Sequence, residues 1–458
     1  MDRMMTFLNR HVFSPMLAKK NGSRVFEFLR FLEKSQYDSP ETIRVRQWTS
    51  IKAMIHHAYE TVPFYRQRLD AIDLHPSDLR TMEDISAIPI LTKSDIRDHG
   101  HEMISNRYQV DRLRVKTTSG STGVPLAIRI DEPSMQWKTA CTIRSDQWSG
   151  WNFGERVAKV WGNPDFLHDG WKGRVRNRLI ERATYLDTLA VTDERMRIFC
   201  EQLRESPPKL LFGHAHSIYL LACYAHKHKI DWIHPHGIIS TAMILHDYQR
   251  ILIERVFGTY VTNRYGCEEV SLIASECPVH HGLHFNSDSI YPEIHHDRPY
   301  LPKNTGSLLL TDLTNFAMPI IRYQIGDVVT GSERACSCGR GMNMISRIEG
   351  READYVLTPN GTLISGISLT ENFAMLIRGA AQVQLVQESL TMLRVRLVTS
   401  SEFDDRSLKA VGDLVRNTFG DTMRHEVERL DAIPQEASGK YRFCISKVAS
   451  DHIRAMSA

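Results

Sequence analysis

Apolar residues recur at helical spacing through much of the first hundred residues. The clearest segments are RVFEFLRFLEKS (24–35) and ETIRVRQWTSIKAMIHHAYE (41–60), where many apolar positions fall three or four residues apart. Pro63 interrupts the pattern, because its ring removes a backbone donor and restricts the chain. The pattern predicts a mostly helical N-terminal region, 1–100.

Beyond Val115, short β-type runs alternate with helical ones. Strands that alternate with helices predict an α/β sheet architecture. After Glu276 strands and turns prevail, which predicts a β-rich insertion over 277–340. The strand-like runs are LRVKTT, LAIRI, VAKVWG, KLLFG, HGIIST, TYVTNRYG, GLHF, GSLLLTDL and PIIRYQIGD, and the helix-like runs include IYLLACYAHKHK and DYQRILIERVFG.

The pattern changes again near residue 350. QVQLVQES and TMLRVRLVTS read as a strand pair, and SLKAVGDLVRNTFGD reads as a helix. We therefore predict a large N-terminal domain over 1–350 and a small α+β domain over 351–458.

Composition places the chain among ordinary globular proteins. Its 458 residues are 42% hydrophobic and 24% charged, which argues against collagen-like, disordered and coiled-coil classes. The net charge is only +3 and no basic block occurs, so no nucleic-acid partner is expected. No apolar run reaches the roughly 18 residues of a transmembrane segment, and no signal-peptide cleavage pattern is evident. A cytoplasmic location is expected.

A hydroxyl-rich glycine loop lies between two predicted strands. It reads Thr117-Thr118-Ser119-Gly120-Ser121-Thr122-Gly123-Val124-Pro125. Glycines let backbone N–H groups curl around an anion, and hydroxyls donate to phosphate oxygens. The loop fits neither GxxxxGK[ST] nor GxGxxG, so neither a P-loop nor a dinucleotide fold is supported. The alternative is a flexible Ser/Gly turn.

Further polar motifs follow later predicted elements. Glu269 of NRYGCEE comes just past a strand, where a carboxylate suits Mg²⁺ beside nucleotide phosphates. Asp327 of IRYQIGD suits a ribose diol, as an acceptor of two hydrogen bonds. Lys440 of PQEASGKYR is a point charge that suits a developing negative charge. Each motif alone also fits a solvated turn.

The order of these motifs resembles the adenylate-forming acyl-CoA ligase superfamily. The loop is followed by YGxxE, RYxxGD, the GREAD segment at 350–354, and the late GK. HAYETVPFY (57–65) and IPILTKSDI (88–96) resemble the opening of its phenylacetate–CoA ligase branch, which includes CapK-type proteins of capsule and exopolysaccharide loci. The resemblance runs from about Ala58 to Lys440. It implies a large adenylate-forming domain with a small mobile C-terminal lid.

The resemblance also implies an activity. ATP and a small-molecule carboxylic acid would form an acyl-adenylate and pyrophosphate, and a thiol such as coenzyme A would then accept the acyl group. The implied site comprises Thr118, Ser119, Gly120, Ser121, Thr122 and Gly123 at the phosphates, Glu269 at Mg²⁺, Tyr265 at the adenine or the reacting carboxylate, Asp327 at the ribose, Arg351 near the hinge, and Lys440 between the carboxylate and the α-phosphate.

Several positions depart from the branch. Val124 replaces a usual Lys, Glu268 a usual Thr or Ser, Ala353 an Asp, and His214–Ser217 a usual GYPS. Another acceptor therefore stays open: a carrier-protein thiol, an amine or a sugar hydroxyl. A non-catalytic nucleotide-binding relative is the alternative from another class. A homodimer is expected from the resemblance alone.

Cysteines and histidines cluster between YGxxE and GREAD. Cys277 and His280 are followed by Cys336 and Cys338, a set that suits tetrahedral Zn²⁺ in a structural role. His281 and His284 are competing fourth ligands. Several phenylacetate–CoA ligase relatives carry a similar set. The alternative is reduced free cysteines.

Overall fold

The computed structural model divides into two compact units. Unit 1 comprises Met1–Thr118, Leu126–Phe153 and Thr262–Gly350, and unit 2 includes Gly154–Val261 and Arg351–Ala458. The residues that the structure describes are 2–118, 126–161, 170–188, 192–242, 245, 247–296, 303–348, 355–361, 363–365, 369, 373, 376–431, 433, 444–446, 448–449 and 452.

Helices dominate the N-terminal region, which confirms the prediction from apolar spacing. Pro63 does not simply end a helix: it begins the next one, because a missing N–H is harmless in a first turn. The described α-helices are α1 (Asp2–Leu8), α2 (Ser14–Lys20), α3 (Val25–Ser35), α4 (Pro40–Thr61), α5 (Pro63–Asp70), α6 (Lys93–His99), α7 (Glu132–Asp146), α8 (Gly170–Arg176), α9 (Asp193–Glu205), α10 (Ala215–Lys227), α11 (Asp247–Phe257) and α12 (Asp405–Phe419).

Strands occupy the β-type runs, and several form where the sequence had suggested none. The described strands are β1 (Arg114–Thr118), β2 (Leu126–Ile130), β3 (Val157–Trp161), β4 (Ala183–Asp187), β5 (Leu210–His214), β6 (Gly237–Thr241), β7 (Val261–Cys267), β8 (Ser271–Glu276), β9 (Leu283–Phe285), β10 (Ile290–His295), β11 (Thr305–Asp312), β12 (Tyr323–Gly331), β13 (Met344–Ile348), β14 (Tyr355–Leu357), β15 (Leu363–Ser365), β16 (Ala380–Ser389), β17 (Met392–Thr399), β18 (Arg424–Arg429) and β19 (Cys444–Ser446).

Unit 1 combines α1–α7 with antiparallel strands. Strands β7–β13 run in the spatial order β10-β11-β12-β13-β9-β8-β7, and β1 pairs with β2 as a separate hairpin. The core joins α4 to the sheet through buried Ile51 and Met54 on the helix and Leu308 and Ile325 on the strands. Removing this apolar surface from water stabilises the unit and holds β12 in place.

The first segment of unit 2 is a parallel sheet backed by helices. Its strands run β6-β5-β3-β4, as the strand–helix alternation predicts. Helices α9, α10 and α11 share one core with the sheet, which includes Phe199, Leu221, Ile253 and Leu211. The predicted α/β class is confirmed.

The C-terminal segment of unit 2 is α+β, also as predicted. Its sheet has the order β18-β17-β16-β19 and packs against α12 around Val395 and Val415. Leu357 and Ala449 instead join the core of the parallel sheet. The division into domains 1–350 and 351–458, and the movement of 351–458 as a lid, stay predictions; the compact unit that contains 351–458 also contains Gly154–Val261. Among the described residues, no helix is both long and apolar enough to cross a membrane.

Candidate functional site

Two of the predicted nucleotide-binding residues meet in unit 1. Tyr265 lies on β7 and Asp327 on β12, and the phenolic hydroxyl donates a hydrogen bond to the Asp327 carboxylate. Asp327 is 1% exposed. The structure thus joins the YGxxE and RYxxGD motifs through side chains that are far apart in the sequence.

A β-bulge orients Asp327. In the pairing of β11 with β12, Ser307 faces Val328 and Leu309 faces Gln324, so the three residues 325–327 stand opposite one. Gly326 in this bulge has a φ of +91°, a conformation that L side chains rarely adopt. Bulges bend a strand and redirect its side chains, which explains how a Gly-Asp pair is accommodated within β12.

Glu269 is held by a second tyrosine from the same motif pair. It follows β7 in the turn before β8, is 6% exposed, and accepts a hydrogen bond of 2.7 Å from the Tyr323 hydroxyl to its Oε1. Tyr323 is fully buried at the start of β12. The carboxylate retains further acceptor capacity, so Glu269 can also serve as an oxygen ligand to Mg²⁺. Sequence reasoning missed Tyr323, although it is the tyrosine of RYxxGD.

Arg322 fixes the start of β12. It is 5% exposed with a φ of +51°, and its Nε donates to Glu293 Oε1 at 3.0 Å. Its Nη1 donates to the carbonyls of Ser86, at 2.8 Å, and Ile88. A fixed fork of donors satisfies a carboxylate and two carbonyls together, which a lysine could not do.

The IPILT segment also pairs with this strand through the backbone. Leu91 N donates to Arg322 O at 3.0 Å, and Gln324 N donates to Leu91 O at 2.9 Å. Two motifs that suggested the family resemblance are therefore direct neighbours. The N-terminal region supports the strand that carries Tyr323 and Asp327.

A lysine that the sequence analysis did not select lies beside the YGxxE turn. Lys116 Nζ is 3.0 Å from Ser271 Oγ and 4.0 Å from Glu268 Oε2. Burial lowers the Lys116 pKa, while the Glu268 carboxylate raises it in part. A partly desolvated cation thus stands on β1, two residues before Thr118, which ends that strand.

The remaining predicted site residues lie outside the described part of the chain. They are Ser119, Gly120, Ser121, Thr122, Gly123, Arg351 and Lys440. Their implied roles stay predictions.

A compact cysteine–histidine cluster also forms in unit 1. One candidate ligand atom from each of four residues lies within 4.8 Å of the others: Cys277, His284, Cys336 and Cys338. Cys277 Sγ and Cys336 Sγ are 3.6 Å apart, and Cys338 Sγ is 3.3 Å from His284 Nε2. Ligand separations of about 3.5–3.8 Å follow from tetrahedral Zn–S and Zn–N bonds, so the set fits zinc.

The second ring nitrogen of His284 supports this assignment. Nδ1 lies 3.1 Å from the Met342 carbonyl and is the donor there, since a carbonyl only accepts. The Nε2 lone pair then faces the three sulfurs. Metal-bound histidines commonly have such a partner on the other nitrogen.

The cluster corrects the fourth predicted ligand. His280 occupies a turn with a φ of +55°, and its Nδ1 lies 3.2 Å from Glu276 Oε2 rather than in the cluster. His281 is exposed at the same turn. His284 reaches the sulfurs because β9 pairs with β13, which brings it level with Met344. Spacing along the chain did not distinguish the three histidines.

Comparisons with known proteins find similarity to two groups of proteins. Residues 356–447 match the family described as the CapK C-terminal domain. The chain is 26% identical over 343 residues to the phenylacetate–coenzyme A ligase of Thermus thermophilus, which covers 69% of this chain and 72% of that one. It is 24% identical over 384 residues to protein CapK of Staphylococcus aureus, which covers 80% of this chain and 81% of that one.

Solved structures show the same fold. A 2-hydroxyisobutyryl-CoA ligase in complex with 2-HIB-AMP and CoA, in its thioesterification state, has a TM-score of 0.59 at 20% identity and covers 92% of each chain. Its open conformation, with the same ligands, has a TM-score of 0.54 and covers 87% of this chain and 90% of that one. The predicted similarity to phenylacetate–CoA ligases and CapK is thereby confirmed.

Proposed function

We propose that this chain is an adenylate-forming ligase that activates a carboxylic acid with ATP and then passes the acyl group to a thiol such as coenzyme A. One observation carries the proposal. The pairs Tyr265–Asp327 and Tyr323–Glu269 join the two motifs of the predicted nucleotide site. The similarity to phenylacetate–coenzyme A ligases supports the same reaction class.

In the first step, an oxygen of the acid attacks the α-phosphorus of ATP, and pyrophosphate leaves with the electrons of the broken P–O bond. Both reactants are anions, so their charges must be offset before they meet. Mg²⁺ supplies that neutralisation when bound, and Glu269 would hold it. Asp327 would accept hydrogen bonds from the ribose hydroxyls, and Tyr265 would fix the orientation of that carboxylate. In this first step, as the resemblance implies, Lys440 would bridge the attacking carboxylate and the α-phosphate, and Arg351 would contact the nucleotide near the hinge.

In the second step, a thiolate attacks the acyl carbonyl and AMP leaves. Rotation of the C-terminal segment would exchange the adenylation residues for those of the transfer step.

The deciding experiment is ATP–pyrophosphate exchange with a panel of aryl, acyl and amino acids, first without coenzyme A. Acid-dependent exchange that falls at least 100-fold in Glu269→Gln supports the proposal. Glu83→Gln is the matched control, because Glu83 is exposed and lies outside the site. The proposal would be contradicted if no acid in the panel raised the rate of exchange, or if Glu269→Gln kept the full rate.

A second acceptor class is proposed as the alternative. The similarity to CapK spans most of that protein, and a CapK C-terminal domain matches here. The acceptor would then be a carrier-protein thiol, an amine or a sugar hydroxyl. This alternative would be favoured if the protein catalysed exchange but coenzyme A did not cause release of AMP, and an acceptor of one of these classes did.

We also propose that the cysteine–histidine cluster holds a structural Zn²⁺. Cys277, Cys336, Cys338 and His284 would fill all four positions, which leaves none for substrate. Elemental analysis of the purified protein should find one zinc per chain. The assignment would be supported if Cys336→Ser lost the zinc and Cys200→Ser retained it. Cys200 is the control because it lies outside the cluster.

Cytoplasmic location and a homodimer are proposed on the resemblance alone. Cell fractionation and light scattering of the purified chain test them. A monomer in light scattering would remove the dimer without affecting the proposed chemistry.

A further inference from the structure

A short helix in unit 2 presents a basic and apolar outer surface. Helix α8 continues into a π-helical turn over Asn177–Glu181, and residues 170–181 together are named the basic helix. It has one acid, Glu181, and four cations. The cations alternate with other residues, so the sequence shows no continuous basic block. They are Lys172, Arg174, Arg176 and Arg178.

The inner face of the basic helix is fixed to the rest of unit 2. Gly173 is buried, and Asn177, one turn later, exchanges two hydrogen bonds with Ala183 at the start of β4. The Asn177 Nδ2 donates to the Ala183 carbonyl at 2.8 Å, and the Asn177 Oδ1 accepts from the Ala183 N–H at 3.0 Å. Arg182 ends the helix with a φ of +51° and donates through Nη1 to the Gly154 carbonyl at 2.8 Å. These contacts hold the opposite face towards solvent.

Two apolar side chains occupy that opposite face. Trp171 is 68% exposed and Val175 is 46% exposed. Because they are four residues apart, they form one stripe on the helix surface. At about 100° per residue, the stripe lies about 180° from Gly173 and Asn177. An exposed apolar stripe rimmed by charged residues is typical of an interaction surface.

The cations flank this stripe on both sides. Lys172 and Arg176 lie along one edge, and Arg174 and Arg178 lie along the other, since the members of each pair are four residues apart. All four side chains are exposed. Arg176 forms a salt bridge of 2.9 Å with Glu181, whereas Arg174 and Arg178 pair with no acid in the described part of the chain. The surface therefore carries excess positive charge around an apolar centre.

We propose that the basic helix docks on a membrane surface that contains anionic phospholipids. Its cations would pair with lipid phosphates, and Trp171 and Val175 would enter the boundary between headgroups and acyl chains. Helices that lie in this boundary combine a polar face rich in Lys and Arg with Trp on the apolar face. Tryptophan suits this depth because its ring is apolar and its indole N–H is polar.

The size of the surface favours a membrane over a protein partner. A helix of twelve residues is about 18 Å long and about 10 Å wide. Its outer face alone is far smaller than the roughly 800 Å² that each partner contributes to a specific protein interface. A membrane needs no such area, because lipids surround each inserted side chain. A nucleic acid would neutralise the cations but has no apolar layer for Val175.

Co-sedimentation of the full chain with vesicles tests the proposal. The probes are vesicles of phosphatidylcholine alone and of phosphatidylcholine with phosphatidylglycerol at about 30%, each at about 50 mM and about 300 mM salt. Binding to the anionic vesicles should be about tenfold stronger than binding to the neutral ones, and should weaken at the higher salt because ions screen the cations. Equal binding to both kinds of vesicle, or no binding at the lower salt, would overturn the proposal.

Variants separate the contribution of the cations from that of the stripe. Arg174→Gln/Arg178→Gln should weaken binding to the anionic vesicles about tenfold. Trp171→Ser should weaken it about fivefold, and Trp171→Phe, which keeps an apolar ring, should stay within about twofold of the parent. The urea midpoints should all match that of the parent, because the changed side chains are exposed. Parent-like binding by the double variant or by Trp171→Ser would overturn the proposal.

The matched controls change exposed side chains elsewhere in unit 2. Lys227→Gln/Arg255→Gln removes the same number of charges, and Ile251→Ser removes an apolar side chain that is 56% exposed on α11. Both should bind anionic vesicles as the parent does. An equal loss in these controls would show that binding follows overall charge or apolar exposure, and would overturn the assignment to the basic helix.

Fluorescence quenching tests whether Trp171 itself enters the membrane. Bromine atoms on the acyl chains of phosphatidylglycerol quench a tryptophan that approaches them. Such vesicles should quench the parent more than Trp171→Phe, which retains the other tryptophans of the chain. Equal quenching of the two proteins would overturn the insertion of Trp171.

Two further probes represent the other anionic partners. Arg174→Gln/Arg178→Gln and the parent are titrated with a single-stranded oligonucleotide and with polyglutamate. A loss of binding in the double variant for either polymer, with vesicle binding unchanged, would assign the surface to a nucleic acid or an acidic protein and overturn the proposal. A loss confined to vesicles would support it.

Discussion

Tyr323 and Glu269, 54 residues apart in the sequence, are joined by a hydrogen bond of 2.7 Å inside unit 1. Both side chains are buried, so this bond decides where the carboxylate stands and leaves its further acceptor capacity for Mg²⁺. In the proposed reaction the tyrosine would act through the glutamate, as a positioning residue.

Tyr323→Phe should therefore weaken the response to magnesium. We expect the Mg²⁺ concentration for half-maximal exchange to rise about tenfold, with a stability loss of about 1–3 kcal/mol from the unpaired carboxylate. Tyr37→Phe is the control, because Tyr37 is 55% exposed. A fall in kcat with an unchanged magnesium dependence would show that the bond is only structural.

Lys116→Met should raise the KM for ATP about three- to tenfold. The hydroxyl-rich loop from Thr117 to Pro125 has no charged side chain, and Lys116 directly precedes it. The effect should shrink at high salt, because screening weakens a partly exposed charge. Lys52→Met, on an exposed part of α4, should leave this KM unchanged. Equal KM values for Lys116→Met and the parent would exclude the role.

Glu268→Gln should shift the pH dependence of ATP binding. The Glu268 carboxylate raises the Lys116 pKa against the lowering effect of burial. Removing it lowers that pKa further, so the ammonium loses its proton at a lower pH. Titration of the ATP KM should show the alkaline rise starting earlier in Glu268→Gln than in the parent. A rise that starts later would contradict the assigned sign.

His284→Ala should lose zinc, whereas His280→Ala should keep it. The ligand cluster contains His284 Nε2, and the His280 ring faces Glu276 instead. A bound ligand at 100 times its Kd stabilises the folded state by about 2.7 kcal/mol, so chelation should lower the urea midpoint of the parent and of His280→Ala. Elemental mass spectrometry of the purified variants measures how much zinc each retains. Loss from His280→Ala with retention in His284→Ala would reverse the correction.

Arg322→Lys should destabilise unit 1 by about 2–4 kcal/mol. A lysine keeps the charge but cannot donate together to Glu293 and to the carbonyls of Ser86 and Ile88, which would stay buried and unpaired. Exchange should fall with stability, because β12 carries both Tyr323 and Asp327. Urea unfolding measures the loss. Parent-like stability in Arg322→Lys would show that the fork is not needed.

Local sequence patterns predicted most helices and strands, because the periodicity of apolar residues along a segment largely determines its secondary structure. Apolar spacing placed α3 and α4, and alternation placed the parallel sheet. Pairings across long separations were not predictable: nothing in YGxxE indicates that Tyr265 meets Asp327, and the choice of His284 depends on the pairing of β9 with β13.

The backbone bonds between Leu91 and the Arg322–Gln324 strand have a consequence for synthesis. More than two hundred residues separate the partners, so β12 must be synthesised before the N-terminal region can pair with it. Closing so long a loop is entropically costly and late. Until β12 has been synthesised, Leu91, Ile96 and the other apolar side chains that pack against it stay exposed to water. We therefore expect the nascent chain to depend on chaperones during translation. It should become resistant to protease abruptly once β12 has emerged from the ribosome.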